Sequence, residues 1–377
     1  MNKTVFLIRN VDPDSYGGAE SYQLELAEVL RRQGYTPVVV TSSKRLLENA
    51  LANKLRVIEA PFIKRQNWSG WRNFLLPIYM LKQRKLRAWY KQQIAKFKPI
   101  ALDIQSRDDW IAASLAGKEA GIKVLWTDHA DFRSWVLTNI DVKYKNFIGK
   151  YILRIAKDID KIIMISEFEA KYFKTVTAKY HLSNVMVIQN GVVDKKDEYA
   201  DEPIENNFCY VGRIVREKGI GELIEAFNIF TDKHQSMLLD IYGEGPEFEK
   251  YQAIAQKNKR IIFHGFTDNP IEAISRSKIF ILPSYYEGLS MSLSQAAMLG
   301  KPVIATNEGG NPNIIEHRKT GLLVKSRDVN SLAKAMFEIV EKPEKTEQMA
   351  KNIRQKYEQE LDFEKTIKEK FIPLIEN

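Results

Sequence analysis

Short apolar runs alternate with segments of helical periodicity along almost the whole chain of 377 residues. An uninterrupted apolar run is typical of a strand buried on both faces of a sheet, and apolar residues recurring every three or four positions are typical of a covering helix. This alternation predicts an α/β fold with parallel sheets. In the first half the predicted strands lie at 4–10, 36–41, 56–59, 100–104, 123–126 and 161–165, and the predicted helices include 18–33 and 82–97.

A second series of the same kind follows the polar segment DKKDEYADEPIENN at 194–207. Its predicted strands lie at 208–212, 237–242, 260–263, 278–282, 302–305 and 322–324, and its predicted helices at 219–230, 246–257, 270–275, 290–299, 330–340 and 345–359. A chain of this length exceeds one ordinary core. We therefore predict two doubly wound, Rossmann-like domains facing each other across a cleft, at 1–195 and 204–357, and we allow for a return of the tail, about 358–377, to the first domain.

Composition narrows the class of protein. A hydrophobic fraction of 44% with a charged fraction of 28% is typical of a soluble globular protein and excludes a disordered or fibrous chain. The single cysteine, Cys209, excludes an intramolecular disulfide framework and a cysteine-based zinc site. The apolar part of the N-terminus is too short for a signal peptide, and no run is long enough to span a bilayer. We expect a cytoplasmic protein.

The net charge of +9 is concentrated in one segment. Between Pro61 and Pro99 there are ten Lys or Arg residues, interleaved with aromatic residues, and no Asp or Glu. This composition suits the surface of an anionic membrane, so we expect peripheral association with its inner face through residues 61–99. A solvated helix face above core aromatics, or an acidic polymer acceptor, would account for the same charge. No base-reading motif accompanies it, so nucleic acid is not an expected partner.

Three glycine turns follow predicted strands, where open α/β sheets bind ligands. In SYGGAES, Gly17 and Gly18 precede a helix whose free amides could face a phosphate, although a tight loop would need the same residues. In VGRIVREKG, Arg213 and Lys218 lie five residues apart on one loop, an arrangement that suits a diphosphate. The third turn, YGEGP at 242–246, is equally compatible with a ligand role and with a tight connection.

The stretch SYYEGLSMSLSQAAMLG follows the apolar run KIFILP. Glu287 is predicted at the tip of the strand, and Ser290 or Ser292 is placed to cap the next helix. Gln295 follows Glu287 by eight residues. The spacing would let one side chain hold a sugar ring while the other reaches a ribose.

With these motifs, the chain resembles the retaining, nucleotide-sugar-dependent glycosyltransferases of the GT-B fold, in glycosyltransferase family 4. The segments that carry the resemblance are GGAE at 17–20, TDHAD at 127–131, DKIIMIS at 160–166, NGVV at 190–193, VGRIVREKG at 211–219, YGEGP at 242–246, FHGF at 263–266, EGLSMSLSQA at 287–296, GGNPNII at 309–315 and TGLLV at 320–324. Singly these segments are weak signals. Their order and spacing make the combination specific.

The resemblance implies a role for particular residues. Arg213 and Lys218 match the pair that binds the donor diphosphate, and Glu287 matches the first Glu of a Glu, seven residues, Glu motif, which binds a hydroxyl of the donor sugar. The backbone amides of Gly288, Leu289 and Ser290 are implied to lie beside the sugar, and His129 is implied to line the sugar site. The loop at Gly18 matches the loop whose backbone approaches the donor phosphate or the acceptor. Phe266 stands where the backbone of family members contacts the nucleotide base. A capping or buried role stays open for His129.

Two positions depart from the family pattern. Gln295 replaces the second Glu of the motif, which accepts hydrogen bonds from both ribose hydroxyls, whereas an amide offers one acceptor and one donor group. This exchange predicts a loss of about 1 to 2 kcal/mol in nucleotide binding. Asn313 stands where the family often has Glu.

The resemblance implies transfer of a hexosyl unit, with retention, from a nucleotide diphosphate sugar, most readily a UDP-sugar, to a glycan or lipid-linked acceptor. The expected setting is bacterial-type synthesis of a cell-surface polysaccharide or glycolipid. No cofactor is expected. We also expect no metal, because Arg213 and Lys218 supply the positive charge and the pairs Asp12/Asp14 and Asp158/Asp160 match a metal-binding pattern only loosely. An epimerase or hydrolase on the same fold, and a non-enzymatic basic membrane-associated protein, remain as alternatives. Product formed without acceptor would indicate the first, and absence of nucleotide binding the second.

Overall fold

The computed structural model describes residues 3–14, 16–63, 75–129, 132, 136, 137, 140 and 146–376. The chain divides into two compact units. The first comprises Met1–Gln189 and Glu364–Asn377, and the second comprises Asn190–Phe363.

The first unit contains a parallel sheet of seven strands in the order β3-β2-β1-β4-β5-β6-β7. Its strands are β1 Thr4–Arg9, β2 Thr36–Thr41, β3 Arg56–Glu59, β4 Ala101–Ile104, β5 Lys123–Asp128, β6 Lys161–Met164 and β7 Val185–Val187. Its helices are α1 Gly18–Arg32, α2 Lys44–Ala52, α3 Leu76–Phe97, α4 Ala112–Glu119, α5 Phe147–Ile155 and α6 Glu167–Thr177. The six predicted strands are confirmed. The sequence analysis missed β7, a half-buried edge strand of three residues.

The second unit contains a parallel sheet of six strands in the order β10-β9-β8-β11-β12-β13. Its strands are β8 Asn207–Val211, β9 Leu238–Tyr242, β10 Ile261–Gly265, β11 Ile279–Leu282, β12 Val303–Thr306 and β13 Leu322–Val324. Its helices are α7 Ile220–Thr231, α8 Phe248–Ala255, α9 Pro270–Ser275, α10 Met291–Leu299, α11 Asn311–Ile314, α12 Val329–Glu341 and α13 Pro343–Lys356. All six strands predicted for this half are confirmed.

Each sheet has a point where the strand order reverses. In the first sheet it lies between β1 and β4, and in the second between β8 and β11. The connections that leave the carboxyl ends of two such strands run to opposite sides of the sheet, which opens a crevice there. The loop after β8 carries Arg213 and Lys218, and the loop after β11 carries Glu287. Two of the predicted site segments therefore meet at the reversal point of the second sheet.

The C-terminal segment after Phe363 packs on α1. Ile367, Phe371 and Ile375 are buried, Glu364 lies 3.2 Å from Arg32, and the Tyr35 hydroxyl donates a hydrogen bond to Glu376. This segment consists of α14 Phe363–Thr366, a π-helical turn Ile367–Phe371 and α15 Ile372–Glu376. Just before it, Val192 pairs with Asp362, and the Tyr357 hydroxyl donates to the Val192 carbonyl at 2.7 Å.

Helix α3 carries most of the described part of the basic segment. It begins at Leu76, earlier than predicted, because Pro77 occupies the first turn, where its missing N–H is tolerated. Its buried face consists of Tyr79, Gln83, Leu86, Tyr90 and Ile94, at helical spacing. Residues 64–74 of the segment lie outside the described residues. In the part of the chain that the structure describes, we find no helix with the length and hydrophobicity needed to cross a membrane.

Candidate functional site

An ion pair between Lys218 and Glu287 lies at the reversal point of the second sheet. The Oε1 atom of Glu287 accepts hydrogen bonds from Lys218 Nζ at 2.5 Å and from Ser284 Oγ at 2.7 Å. The two charged side chains are only 17% and 9% exposed. A buried carboxylate is tolerated when a counter-charge and a hydroxyl satisfy it in this way. The structure thus brings together two predicted site residues and adds Ser284, which the sequence analysis did not single out.

Arg213 lies on the same loop as Lys218. The Tyr210 hydroxyl donates to its carbonyl at 3.0 Å, while its side chain is exposed and makes no ion pair or hydrogen bond with another described residue. Burial, together with the charge of Glu287, raises the pKa of Tyr210 well above its ordinary value, so this phenol remains a neutral donor. The guanidinium of Arg213 is therefore available for an anionic ligand.

Glycines allow the loops that follow β8, β9 and β11 to pack closely at the carboxyl edge of the second sheet. Gly219 has a left-handed backbone with φ of +69°, and a Cβ there would lie 2.2 Å from the carbonyl oxygen of Pro283. A Cβ at Gly243 would lie 1.8 Å from the carbonyl oxygen of Gly212. The turn YGEGP therefore supports the loop that carries Arg213, which favours the tight-connection alternative for it.

The loop after β12 holds the loop of Glu287 in place. The Gly310 N–H donates to the Glu287 carbonyl at 3.0 Å. Gly309 has φ of +55°, and a Cβ there would lie 1.8 Å from the Glu287 carbonyl oxygen. This supporting role of GGNPNII was not predicted from the sequence. In the same loop, Asn313 Nδ2 is buried and has no hydrogen-bond partner among the described residues.

The segment from Gly288 to Ser290 leads into α10. The Ser290 hydroxyl accepts a hydrogen bond from the Leu293 N–H at 3.3 Å, so Ser290 rather than Ser292 caps the helix. The N–H groups of Gly288, Leu289 and Ser290 donate to no other described residue.

Gln295 and Phe266 lie in the same unit as this ion pair. Gln295 is on α10 and is largely buried, and its amide is not hydrogen-bonded to any described side chain or backbone group. Phe266 directly follows β10 and is exposed.

Gly18 and His129 belong to the first unit. Gly18 begins α1, and its neighbour Gly17 is the N-cap residue, with extended backbone. His129 directly follows β5; its Nε2 atom is buried and has no partner among the described residues, and its ring lies edge-on to Tyr22 at 4.8 Å between centroids. Burial, with a smaller contribution from the charge of Arg9, holds the pKa of His129 well below its usual range. The imidazole is therefore neutral at pH 7.

In the two Asp-x-Asp pairs, the carboxylates of Asp12, Asp14 and Asp160 make local contacts. Asp12 Oδ1 accepts from the Asp14 N–H at 3.3 Å, and Asp14 lies 3.2 Å from Lys44. Asp160 Oδ2 accepts from the Val124 N–H at 2.8 Å. Across the described ranges, no group of three or more His, Cys, Asp or Glu residues is arranged to hold a metal ion.

Comparison with known proteins places this geometry in a class. Residues 16–196 match the model of Glycosyltransferase Family 4, and residues 194–356 match the model of Glycosyl transferases group 1. The structure of Anabaena HepE in complex with UDP and glucose aligns over 100% of both chains with a TM-score of 0.75 and 17% sequence identity. Together with the two parallel sheets, these matches define a GT-B fold. The chain belongs to the family 4-like glycosyltransferases, as the resemblance indicated.

Two curated relatives come from Staphylococcus aureus. The capsular polysaccharide biosynthesis glycosyltransferase CapM is 26% identical over 235 residues, which cover 60% of this chain and 61% of the relative. A poly(ribitol-phosphate) alpha-N-acetylglucosaminyltransferase is 26% identical over 226 residues, covering 57% of this chain and 45% of the relative. The chain thus spans about half the length of these curated relatives.

Proposed function

We propose that this protein transfers a hexosyl unit from a nucleotide diphosphate sugar, UDP-linked in the first instance, to a glycan or lipid-linked acceptor, with retention at the anomeric carbon. The observation that carries the proposal is the largely buried Lys218–Glu287 pair, which lies on the same loop system as the exposed Arg213 at the reversal point of the second sheet. The comparisons support a nucleotide sugar through the UDP complex of HepE, and a cell-surface polymer through the names of the Staphylococcus aureus relatives.

The residues divide the chemistry between them. Arg213 and Lys218 stabilise the negative charge that grows on the diphosphate as it leaves. Glu287, held by Lys218 and Ser284, accepts a hydrogen bond from a sugar hydroxyl. In the front-face mechanism implied by the resemblance, an oxygen of the leaving phosphate takes the proton of the acceptor, so no side chain acts as general base. The two cations replace a divalent ion, and no cofactor takes part.

Donor screening with analysis of product stereochemistry tests this proposal. In the presence of a chelator, the protein is incubated with UDP-linked and other nucleotide hexoses and with acceptors that include lipid-linked sugars and phosphate polymers. The anomeric linkage of the product is then determined by NMR. We expect a retained linkage and full activity in chelator. An inverted linkage, or activity restored only by a divalent metal, would refute the mechanism; sugar release or epimerisation without acceptor would indicate the epimerase or hydrolase alternative.

The exchange Gln295→Glu is expected to tighten nucleotide binding. A carboxylate can accept from both ribose hydroxyls, and a gain of about 1 to 2 kcal/mol corresponds to about 5- to 30-fold in Kd. Isothermal titration of UDP measures it. Gln252→Glu, which adds the same charge on the exposed side of α8, is the matched control. Equal Kd values for the wild type and Gln295→Glu would remove Gln295 from the ribose site.

We further propose that the protein works as a peripheral protein at the inner face of the membrane, contacting anionic lipid through residues 61–99. On α3, Ile78 and Leu81 are each 54% exposed, beside Lys82, Arg84 and Lys85, which pair with no described acid. Arg87 and Lys91, by contrast, pair with Glu119. Exposed apolar residues flanked by free cations suit a lipid headgroup layer.

Charge reversal on α3 tests membrane binding. Each cation near an anionic surface contributes about 1 kcal/mol, so Lys82→Glu with Lys85→Glu should weaken binding to phosphatidylglycerol vesicles at least about 30-fold in a sedimentation assay. Lys171→Glu with Lys174→Glu makes the same change, at the same spacing, on the exposed face of α6. Equal losses in the two double variants, or binding insensitive to salt, would contradict a specific membrane surface on α3.

A further inference from the structure

A buried ion pair in the first unit has no part in the contacts proposed so far. Arg9 is the last residue of β1, and Glu20 lies in the first turn of α1. Arg9 Nε is 2.6 Å from Glu20 Oε1, and the side chains are 10% and 4% exposed. Removing two charges from water costs several kcal/mol per ion, and apolar residues of similar volume are often at least as stabilising at such a position. A contribution to stability alone therefore does not explain why this ion pair is buried here.

The guanidinium of Arg9 joins three segments. While its Nε faces Glu20, its Nη1 donates to the carbonyl of Gln105 at 2.8 Å, directly after β4. The next residue, Asn10, donates its N–H to Ser106 Oγ at 2.9 Å. Strands β1 and β4 are the neighbours between which the order of this sheet reverses. One side chain thus ties the beginning of α1 to both strand ends at the reversal point.

The same helix turn reaches the imidazole of His129. Tyr22 follows Glu20 by two residues on α1, is fully buried, and contacts the edge of the His129 ring. Gly17 and Gly18, at the start of α1, lack side chains that could anchor the helix end, and no side chain caps it. The Arg9–Glu20 pair, together with the hydrogen bond that Gln23 Nε2 donates to the Leu7 carbonyl at 2.5 Å, therefore anchors this helix end to the sheet.

We propose that the Arg9–Glu20 ion pair is a positioning element, which holds the beginning of α1, and with it Gly18 and Tyr22, in fixed register with the His129 imidazole. The inference rests on the proposed function and on the place beside the donor sugar that the resemblance implies for His129. Arg9 and Glu20 do not touch the reacting atoms. They act through the helix end and the ring, so their loss lowers kcat through disorder of His129 and leaves nucleotide binding in the second unit unchanged.

Three variants separate positioning from stability. Glu20→Ala removes the acceptor, Glu20→Gln keeps an oxygen that Arg9 can reach, and Arg9→Lys keeps the charge but cannot contact Glu20 and Gln105 together, because an ammonium lacks the fork of a guanidinium. We expect kcat to fall about 10-fold or more in Glu20→Ala and Arg9→Lys, with substantial recovery in Glu20→Gln, and unchanged UDP affinity in all three. Lys44→Ala, which breaks the exposed pair with Asp14, is the control in the same unit.

A readout without turnover tests the positioning of His129 separately from the proposed function. The imidazole Cε1–H cross-peak of His129, assigned by its loss in His129→Asn, is recorded by NMR for each folded variant. We expect one sharp signal in the wild type, in Glu20→Gln and in Lys44→Ala, and a shifted or broadened signal in Glu20→Ala and Arg9→Lys. A wild-type signal in Glu20→Ala, with a lower Tm as its sole change, would overturn the positioning role. Failure to find any transfer activity would refute the proposed function and leave the NMR result standing.

Discussion

Replacing Arg213 with alanine is expected to lower kcat at least about 100-fold and to leave the fold intact. The side chain is exposed and contacts no other described residue through an ion pair or hydrogen bond, so its loss should change the free energy of unfolding by less than about 0.5 kcal/mol. We propose that Arg213 acts in the transition state, where its positive charge stabilises the negative charge that grows on the diphosphate. A preorganised contact of this type contributes about 10²- to 10³-fold to the rate.

Arg216→Ala is the matched control. Arg216 is exposed on the same loop, three residues beyond Arg213, and forms no ion pair with a described residue. Comparing the two variants in steady-state kinetics separates a specific contact from the general positive charge of the loop. If both variants lose activity equally, or neither does, Arg213 has no particular place at the diphosphate.

The second large effect is expected at Glu287. The exchange Glu287→Gln keeps the shape of the side chain but leaves the part-buried Lys218 without its counter-charge. Breaking one side of a fully buried pair typically costs about 3 to 5 kcal/mol, and we expect a smaller cost at this partly exposed pair. The neutral amide is also a weaker acceptor for a sugar hydroxyl. We therefore expect kcat to fall at least about 100-fold and Tm to fall as well, measured by donor turnover and calorimetry.

A double variant separates the two effects. Lys218→Gln with Glu287→Gln removes both charges, so it should recover most of the lost Tm without recovering turnover. Ser284→Ala removes one of the two donors to the carboxylate and should cost less than either charge change. Recovery of turnover in the double variant would mean that Glu287 serves the structure and not the sugar.

Much of the fold could be predicted because its signals are local. Most confirmed strands are apolar runs, although β3 has only two apolar residues between Arg56 and Glu59. The polar cap at Ser290 and the left-handed Gly300 mark the ends of α10 in the sequence itself. The placement of Lys218 and Glu287 at one edge of the sheet was also predictable, because the loop that carries each residue follows a strand. Their direct contact was not, because it joins side chains that are 69 residues apart.

The features that were missed depend on contacts distant in sequence. Strand β7 is too short and too exposed to stand out as an apolar run, and only pairing with β6 makes it a strand. Gly309 is required by the carbonyl of Glu287, which lies against it in the folded unit. The Arg9–Glu20 pair also depends on such a contact. The sequence shows that the two residues carry opposite charges, but only the packing of α1 on β1 buries them.

The return of residues 364–376 to α1 means that the first folding unit is not one continuous stretch of chain. A polypeptide released after residue 189 during synthesis would lack the partners of Arg32 and Tyr35 and the apolar side chains of Ile367 and Phe371. The second unit, Asn190–Phe363, has all its strands in one stretch. The first unit is therefore completed only after the second has been synthesised, and removal of residues 364–376 would destabilise the unit that contains β1.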